Sequence, residues 1–195
     1  MSTTGPSVQE LHSLATRQDG YFTAEQAGEL GFDAAMVRVN LATDTWTRVE
    51  RNLFRLGQWP HSELEVFAMW CAWFGGEAVI SHQSAAELHG FGHLHPQFVH
   101  LCAFGDLRLS DTRLAVHRLR LEPRDVESAG TFNITTPVRT VLDLAAGGIS
   151  QITLDEVVCD AVAIGRVDPQ ALYAEAAGNT DRVAERVELA LSACT

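Results

Sequence analysis

Lysine is absent from this chain of 195 residues, and all 14 basic side chains are arginines. Acidic residues outnumber them at 25, so the formal net charge is −11 at pH 7. Proteins that coat nucleic acid without sequence preference depend on neutralising many phosphates, and this charge balance argues against that class. We interpret the missing lysine as a bias of genome composition that carries no functional information.

Cysteine is scarce, and long apolar runs are missing. Cys71, Cys102, Cys159 and Cys194 are scattered without a C-x-x-C pair, so a zinc ribbon or dithiol redox motif is not indicated and we expect reduced thiols. The richest apolar run, residues 66–74, is about half the length that a bilayer-spanning helix needs, which favours a buried helix. No signal peptide is recognisable. We therefore expect a cytoplasmic protein without a membrane partner.

The most informative stretch is residues 20–56, which predicts two short helices joined by a tight turn. Thr23 and Gln26 have the spacing of a capping box at the start of the first helix. Gly31 is suited to end that helix because glycine tolerates a left-handed backbone. Asp33 is a good N-cap for the second helix.

A two-stranded ribbon is expected to follow these helices over residues 46–56. Its turn is placed at residues 50–52, where Asn52 tolerates a positive φ nearly as well as glycine. A further helix over residues 8–17 supplies apolar side chains to the same core. The order predicts a winged helix-turn-helix within residues 1–58, a shape that commonly docks on duplex DNA.

Residues 59–195 predict a second domain that mixes strands and helices. Strands are expected at residues 78–80, 97–104, 114–121 and 131–134. Helices are expected after Ser81, at Thr136-Pro137, from a capping box at Thr153–Glu156, at Asp168-Pro169 and over residues 182–192. The predicted fold class is therefore α+β, with an N-terminal winged helix-turn-helix followed by a mixed α/β domain.

Three motifs occur in an order and spacing that point to a known family. They are G-Y-F-T-A-E-Q-A-G-E-L-G at Gly20–Gly31, I-S-H-Q-S-A-A-E-L-H-G-F at Ile80–Phe91 and T-T-P-V-R-T-V-L-D-L-A at Thr135–Ala145. In these motifs, and in the wing-like segment Trp46–Leu56, the sequence resembles the AbiEi-type antitoxins of type IV toxin–antitoxin systems. The likeness extends over roughly residues 20–176.

The resemblance implies a division of labour between the two domains. The winged helix would bind operator DNA and repress the protein's own operon. The C-terminal domain, of antitoxin type, would counter a nucleotidyltransferase-like toxin encoded beside it. A homodimer is plausible because operators of this family are often inverted repeats, and paired half-sites favour two-fold proteins.

The predicted DNA-binding surface departs from the family pattern. Similar proteins often carry several basic residues on the exposed side of the second helix, whereas this chain has Ala34, Ala35, Val39 and Ala42 there. Four arginines nevertheless lie between residues 38 and 55 against two acids, while three lie from residue 140 onward against nine. The candidate DNA contacts are Arg38, Asn40, Thr43, Arg48, Arg51, Asn52 and Arg55. The alternative is a non-catalytic protein-interaction module whose winged helix has lost DNA binding.

Two histidine-rich segments are candidates for chemical sites. The segment at residues 81–89 contains Ser81, His82, Ser84, Glu87 and His89, but nothing in it fixes an orienting acid or an oxyanion site. The second, with His93, His95, His100 and Cys102, lacks the usual spacing of structural zinc ligands. We therefore expect no enzyme activity, no metal and no cofactor.

Arg139 and Asp143 are four residues apart on the helix after Pro137 and can pair across one turn. A buried Arg139 could instead tie this helix to the sheet. Either structural role is favoured over a contact to a ligand phosphate, since no glycine-rich loop accompanies the pair.

Overall fold

The computed structural model describes residues 6–103 and 111–194, and these residues have a mixed α+β fold, as predicted. The helices are α1 Val8–Thr16, α2 Ala24–Glu29, α3 Ala34–Ala42, α4 Glu65–Trp73, α5 His82–His89, α6 Pro137–Ala146, α7 Gln151–Ala163, α8 Pro169–Ala177 and α9 Asp181–Ala193. The strands are β1 Tyr21–Thr23, β2 Trp46–Glu50, β3 Leu53–Leu56, β4 Val79–Ile80, β5 Val99–Cys102, β6 Leu114–His117, β7 Val126–Ser128 and β8 Asn133–Thr135. No helix in the described ranges is long and apolar enough to cross a membrane.

The chain divides into two compact units, and the division differs from the expected boundary at residue 58. The first unit comprises residues 1–78 and 128–133, and the second comprises residues 79–127 and 134–195. Helix α4 belongs to the first unit because it packs against β1. The segment 128–133 joins it through Phe132, whose ring centroid lies 5.8 Å from that of Phe67 on α4. These contacts are distant in the sequence, so a boundary placed from local composition missed them.

The first unit is built on a three-stranded antiparallel sheet in the order β1-β3-β2. An aromatic cluster fills its core, with Trp46 edge-on to Phe22 at 4.8 Å and also against Phe32 and Phe54. Leu11 and Ala15 of α1 close the same core. Burial of these large side chains supplies most of the driving force for this unit.

Helix ends in the first unit match the sequence prediction. The Thr23 side chain accepts from the Gln26 amide at 3.1 Å, and the Gln26 side chain accepts from the Thr23 amide at 2.9 Å, which completes the capping box. Asp33 Oδ1 accepts from the amides of Ala35 and Met36, both at 2.8 Å. The expected left-handed turns are present at Gly31 and at Asn52 (φ 65°).

The second unit carries a five-stranded sheet in the order β6-β5-β4-β8-β7. Strand β5 pairs antiparallel with β4 and parallel with β6. The core of the second unit consists of apolar side chains from the region of α5 to α9. Among them are Phe91, Leu144, Leu154, Val157 and Leu172, all at most 1% exposed. Helix α9 packs on α7 and α8, and α6 packs on α5, α7 and α9.

Two helix starts in the second unit differ from the prediction. Helix α7 begins at Gln151, where Ser150 Oγ accepts from the Thr153 amide at 3.1 Å, so the helix starts before the expected capping box. Ser81 precedes α5 but makes no side-chain cap, and its Oγ lies 3.0 Å from Nδ1 of His82 instead. Thr136 and Pro137 begin α6 as predicted.

One disulfide corrects the expectation of four reduced thiols. Cys159 on α7 and Cys194 after α9 are bonded, with their Cα atoms 5.0 Å apart. The sequence separation of 35 residues exceeds any local motif, and only the packing of α7 against α9 brings the pair together. Cys71 and Cys102 are buried reduced thiols, as expected.

The disulfide predicts a measurable thiol count. Unfolded, unreduced protein should present two thiols to a thiol reagent, and reductant should raise the number to four. Replacement of Cys194 by serine should lower the free energy of unfolding by about 2–4 kcal/mol because the unfolded chain loses a cross-link. A Cys71→Ser variant is the control for the thiol assay, and four reactive thiols before reduction would contradict the bridge.

Candidate functional site

Helix α3 packs apolar side chains against the core of the first unit, and Arg38 is the one charged residue within this helix. None of its residues is buried, and Val39 is 61% exposed. Arg38 is exposed beside it. The outer surface therefore offers one cation among alanines and a valine, as the sequence indicated.

The polar candidates Asn40 and Thr43 are engaged within α3. Asn40 Nδ2 donates to the carbonyl of Met36 at 2.9 Å. Thr43 Oγ1 donates to the carbonyl of Val39 at 3.0 Å and lies 3.0 Å from Thr45 Oγ1. These bonds use one of the two N–H groups of the Asn40 amide and the single hydroxyl proton of Thr43, so each side chain keeps an oxygen that can accept a hydrogen bond.

Three of the remaining candidates lie on the β2–β3 hairpin. Arg51 and Asn52 form its exposed turn, and Arg48 is exposed on β2 with its guanidinium carbon 5.3 Å from the centre of the Phe54 ring. The register shifts between Arg48 and Glu50, where a bulge bends the ribbon. Within the described ranges no ion pair involves Arg38, Arg48 or Arg51.

Arg55 corrects the predicted set, because it is 8% exposed and committed to the fold. Its Nη2 lies 3.0 Å from a carboxylate oxygen of Glu65 and donates to the Pro60 carbonyl at 2.9 Å. The guanidinium also lies 3.9 Å from Asp19 and stacks over the Tyr21 ring at 4.8 Å. From the sequence alone, Arg55 looks like an exposed strand residue. In the structure, the acidic side chain of Glu65 on α4 covers it.

In the second unit, three histidines from separate elements meet at one place. The rings of His82 on α5 and His117 on β6 are stacked with their centroids 3.5 Å apart. His100 on β5 places Nδ1 3.0 Å from Nε2 of His117. They line a pocket of about 280 Å³ together with Gln83, Leu144 and residues 147–149.

Burial keeps these histidines uncharged. It lowers the pKa of His82 to about 3, with His117 and His100 adding repulsion. It also lowers the pKa of His117 to about 4, and it lowers that of His100. A stack of neutral rings can offer lone pairs to a ligand, which charged rings cannot do.

Cys102 and Asp143 lie close to His82. One potential ligand atom from each of the three residues lies within 4.8 Å of the others, and all three side chains are buried. Burial raises the pKa of Cys102 to about 11 and that of Asp143 to about 6, the latter despite the nearby Arg139. Oδ2 of Asp143 has no hydrogen-bond partner among the described residues.

Arg139 pairs with Asp143, as expected, and its half-buried side chain also contacts a second acid. Its Nε donates to Asp143 Oδ1 at 2.8 Å across one helical turn. Its Nη1 donates to Asp125 Oδ2 at 3.0 Å, in the 3₁₀ turn that precedes β7. Helix α6 is thereby tied to the edge of the sheet.

The other histidines considered in the sequence do not join this cluster. His89 Nε2 lies 2.8 Å from the carbonyl of Thr135. His93 pairs with Glu156 at 2.9 Å, and His95 lies 3.4 Å from Glu87, both on the exposed surface.

The sequence motifs did not predict that the members of this cluster lie together. They contained His82 in one segment and His100 and Cys102 in another. They did not single out His117, which only the parallel pairing of β5 with β6 brings opposite Cys102.

The family model for the AbiEi antitoxin C-terminal domain matches residues 77–192, more than half of the chain. The chain belongs to the AbiEi antitoxin family. The match contains the histidine cluster and two of the three motifs that carried the resemblance, whereas the motif at Gly20–Gly31 lies before it. No curated protein sequence is significantly similar to the chain. Membership implies that this antitoxin interacts with a toxin partner.

The buried position of Arg55 predicts a stability effect that separates it from the hairpin arginines. Arg55→Ala should lower the free energy of unfolding by about 2–4 kcal/mol, because Asp19 would remain buried without its cation. Arg51→Ala removes the same charge from the exposed turn and should change stability by less than about 0.5 kcal/mol. Urea unfolding followed by tryptophan fluorescence measures both, and equal effects would refute the assignment of Arg55.

Proposed function

We propose that this AbiEi-family antitoxin is a non-enzymatic transcriptional regulator that represses its own toxin–antitoxin operon. In this proposal the first unit is a winged helix-turn-helix that binds operator DNA, and the protein also counters a nucleotidyltransferase-type toxin. The observation that carries the proposal is that Arg38, Arg48 and Arg51 are exposed on α3 and the hairpin, while Arg55 is buried.

The arrangement of the first unit supports a DNA-docking role. Helices α2 and α3 are joined by a short turn and followed by a hairpin whose strand β3 pairs with β1, the order expected of a winged helix. Docked through α3, this unit would bring Arg38 to a groove edge and the hairpin arginines to the backbone or minor groove. Phosphate contacts would set the register, and Arg38 alone could read a guanine bidentately.

The charge pattern fits selective binding better than coating. The acidic side chains are concentrated from residue 140 onward, where nine acids face three arginines. Such a chain repels DNA over most of its surface and accepts it where cations are concentrated. Two-fold operators would favour a homodimer, which belongs to this proposal as well.

The second candidate function is a protein-interaction module in which α3 contacts a protein. The exposed Val39 and the alanines around it favour this alternative, because an apolar helix surface of this kind suits a protein groove. In that case the exposed arginines would be solvated charges without a phosphate partner.

Binding to DNA upstream of the protein's own gene is the direct test. Fluorescence anisotropy should show selective binding relative to a shuffled duplex, weakening as salt rises. Removing one arginine that touches a phosphate should reduce the salt slope by about 1, so a variant with Arg38, Arg48 and Arg51 changed to Ala should show a slope smaller by up to about 3. Arg118→Ala, an exposed arginine of the second unit, is the matched control. Absence of selective binding at low salt would defeat autorepression and favour the interaction module.

Repression and toxin control should be separable in cells. The triple arginine variant is expected to lose repression of a reporter placed behind its promoter. It should still protect cells that express the neighbouring toxin, since that role is proposed for the second unit. Loss of both activities in a folded variant would contradict the separation.

A further inference from the structure

We propose that His82, Cys102 and Asp143 bind one divalent transition-metal cation, for which zinc is the best chemical match. The set joins an imidazole nitrogen, a thiol sulfur and a carboxylate oxygen, all of which are established zinc ligands. A softer thiolate beside an imidazole disfavours magnesium and calcium, which select oxygen.

The three ligands are held by different elements of the second unit. His82 is the first residue of α5, Cys102 is the last residue of β5, and Asp143 lies in the middle of α6. Their candidate atoms lie within 4.8 Å of one another. Ligands of a tetrahedral zinc are about 3.3–3.8 Å apart, given bond lengths of about 2.0–2.3 Å. A side-chain adjustment of about 1 Å would therefore close the set around an ion.

An orphaned oxygen supplies the second, independent observation. Asp143 is only 4% exposed, and its Oδ2 lacks a partner among the described residues although Oδ1 is held by Arg139. Buried polar atoms in native proteins are nearly always satisfied, and an unsatisfied one calls for an explanation such as an ion. Coordination of a cation by Oδ2 would satisfy this atom.

Groups next to His82 and Asp143 can hold these two side chains in position to bind a cation. Nδ1 of His82 lies 3.0 Å from Ser81 Oγ, so one ring nitrogen of this histidine already has a polar neighbour. Metal-bound histidines usually make a hydrogen bond through their other ring nitrogen, and metal-bound carboxylates are themselves hydrogen-bonded. Arg139 already serves Asp143 in this way.

A pocket lined by histidines lies beside His82, one of the three proposed ligands. It has a volume of about 280 Å³, and its wall includes His82, His100 and His117. Three protein ligands beside a pocket leave a coordination position open to water or to an outside donor. The ring centroids of His100 and His117 lie 6.3 Å and 3.5 Å from that of His82.

Cobalt(II) is the probe of choice because a tetrahedral cobalt thiolate has visible and near-ultraviolet bands that zinc lacks. Metal is first removed from the full-length protein with a chelator, and Cys102 is kept reduced under mild conditions. The protein is then titrated with Co²⁺ and afterwards with Zn²⁺. We expect a 1:1 complex with a thiolate charge-transfer band, displaced by zinc. Cys102→Ser should abolish that band. Cys102→Ser and Asp143→Asn should each weaken binding by more than about 10-fold, because loss of even a group that only supports a ligand costs about 10–100-fold in affinity.

Two control variants test whether metal binding depends on this site. Cys71→Ser removes a buried thiol of the first unit, and His95→Asn removes an exposed histidine, so neither should alter the band or the affinity. Circular dichroism confirms that each variant is folded before titration. The proposal is overturned if the folded wild-type protein binds no cobalt or zinc, if Cys102→Ser binds as tightly as wild type, or if His95→Asn removes binding. If the folded wild-type protein binds neither metal, protonation of Asp143 would be the explanation for its unpaired oxygen.

Discussion

The fork of hydrogen bonds from Arg139 is the constraint on which the second unit depends. One guanidinium joins a helix to the turn before a sheet strand through Asp143 and Asp125. Because Oδ1 of Asp143 is taken by this bond, the other carboxylate oxygen is left buried without a hydrogen-bond partner among the described residues. The bond that anchors α6 therefore also holds in place the carboxylate that lies near Cys102 and His82. A lysine could not replace this residue, since an ammonium lacks the planar fork that reaches both acids.

A buried arginine has a comparable structural role in the first unit. Arg55 holds Glu65 and the Pro60 carbonyl and packs over the Tyr21 ring, which fixes the segment between β3 and α4. The arginines of this chain thus divide into two classes that composition cannot distinguish. Some stabilise the fold from within, and others, such as Arg38 and Arg51, are exposed on the surface. Only the second class can contribute to the proposed DNA surface.

Interactions that are local in the sequence were predictable, and those between distant residues were not. The capping box at Thr23 and Gln26 and the left-handed turn at Asn52 follow from side chains a few residues apart, so the pattern sufficed. The helical pair of Arg139 and Asp143 was predictable for the same reason. The disulfide between Cys159 and Cys194 depends on how α7 packs on α9, which no spacing rule encodes. The histidine cluster needed the pairing of β5 with β6 to bring His117 opposite Cys102.

The residues that match the family model show which part of the chain supports each functional conclusion. The matched residues 77–192 contain the buried cluster and lack α3 and the hairpin. Antitoxin membership therefore rests on the second unit, whereas the DNA proposal rests on exposed arginines of the first. DNA docking needs accessible cations, whereas the polar groups of the cluster are buried, so the DNA proposal and the metal proposal depend on different residues and can be tested separately.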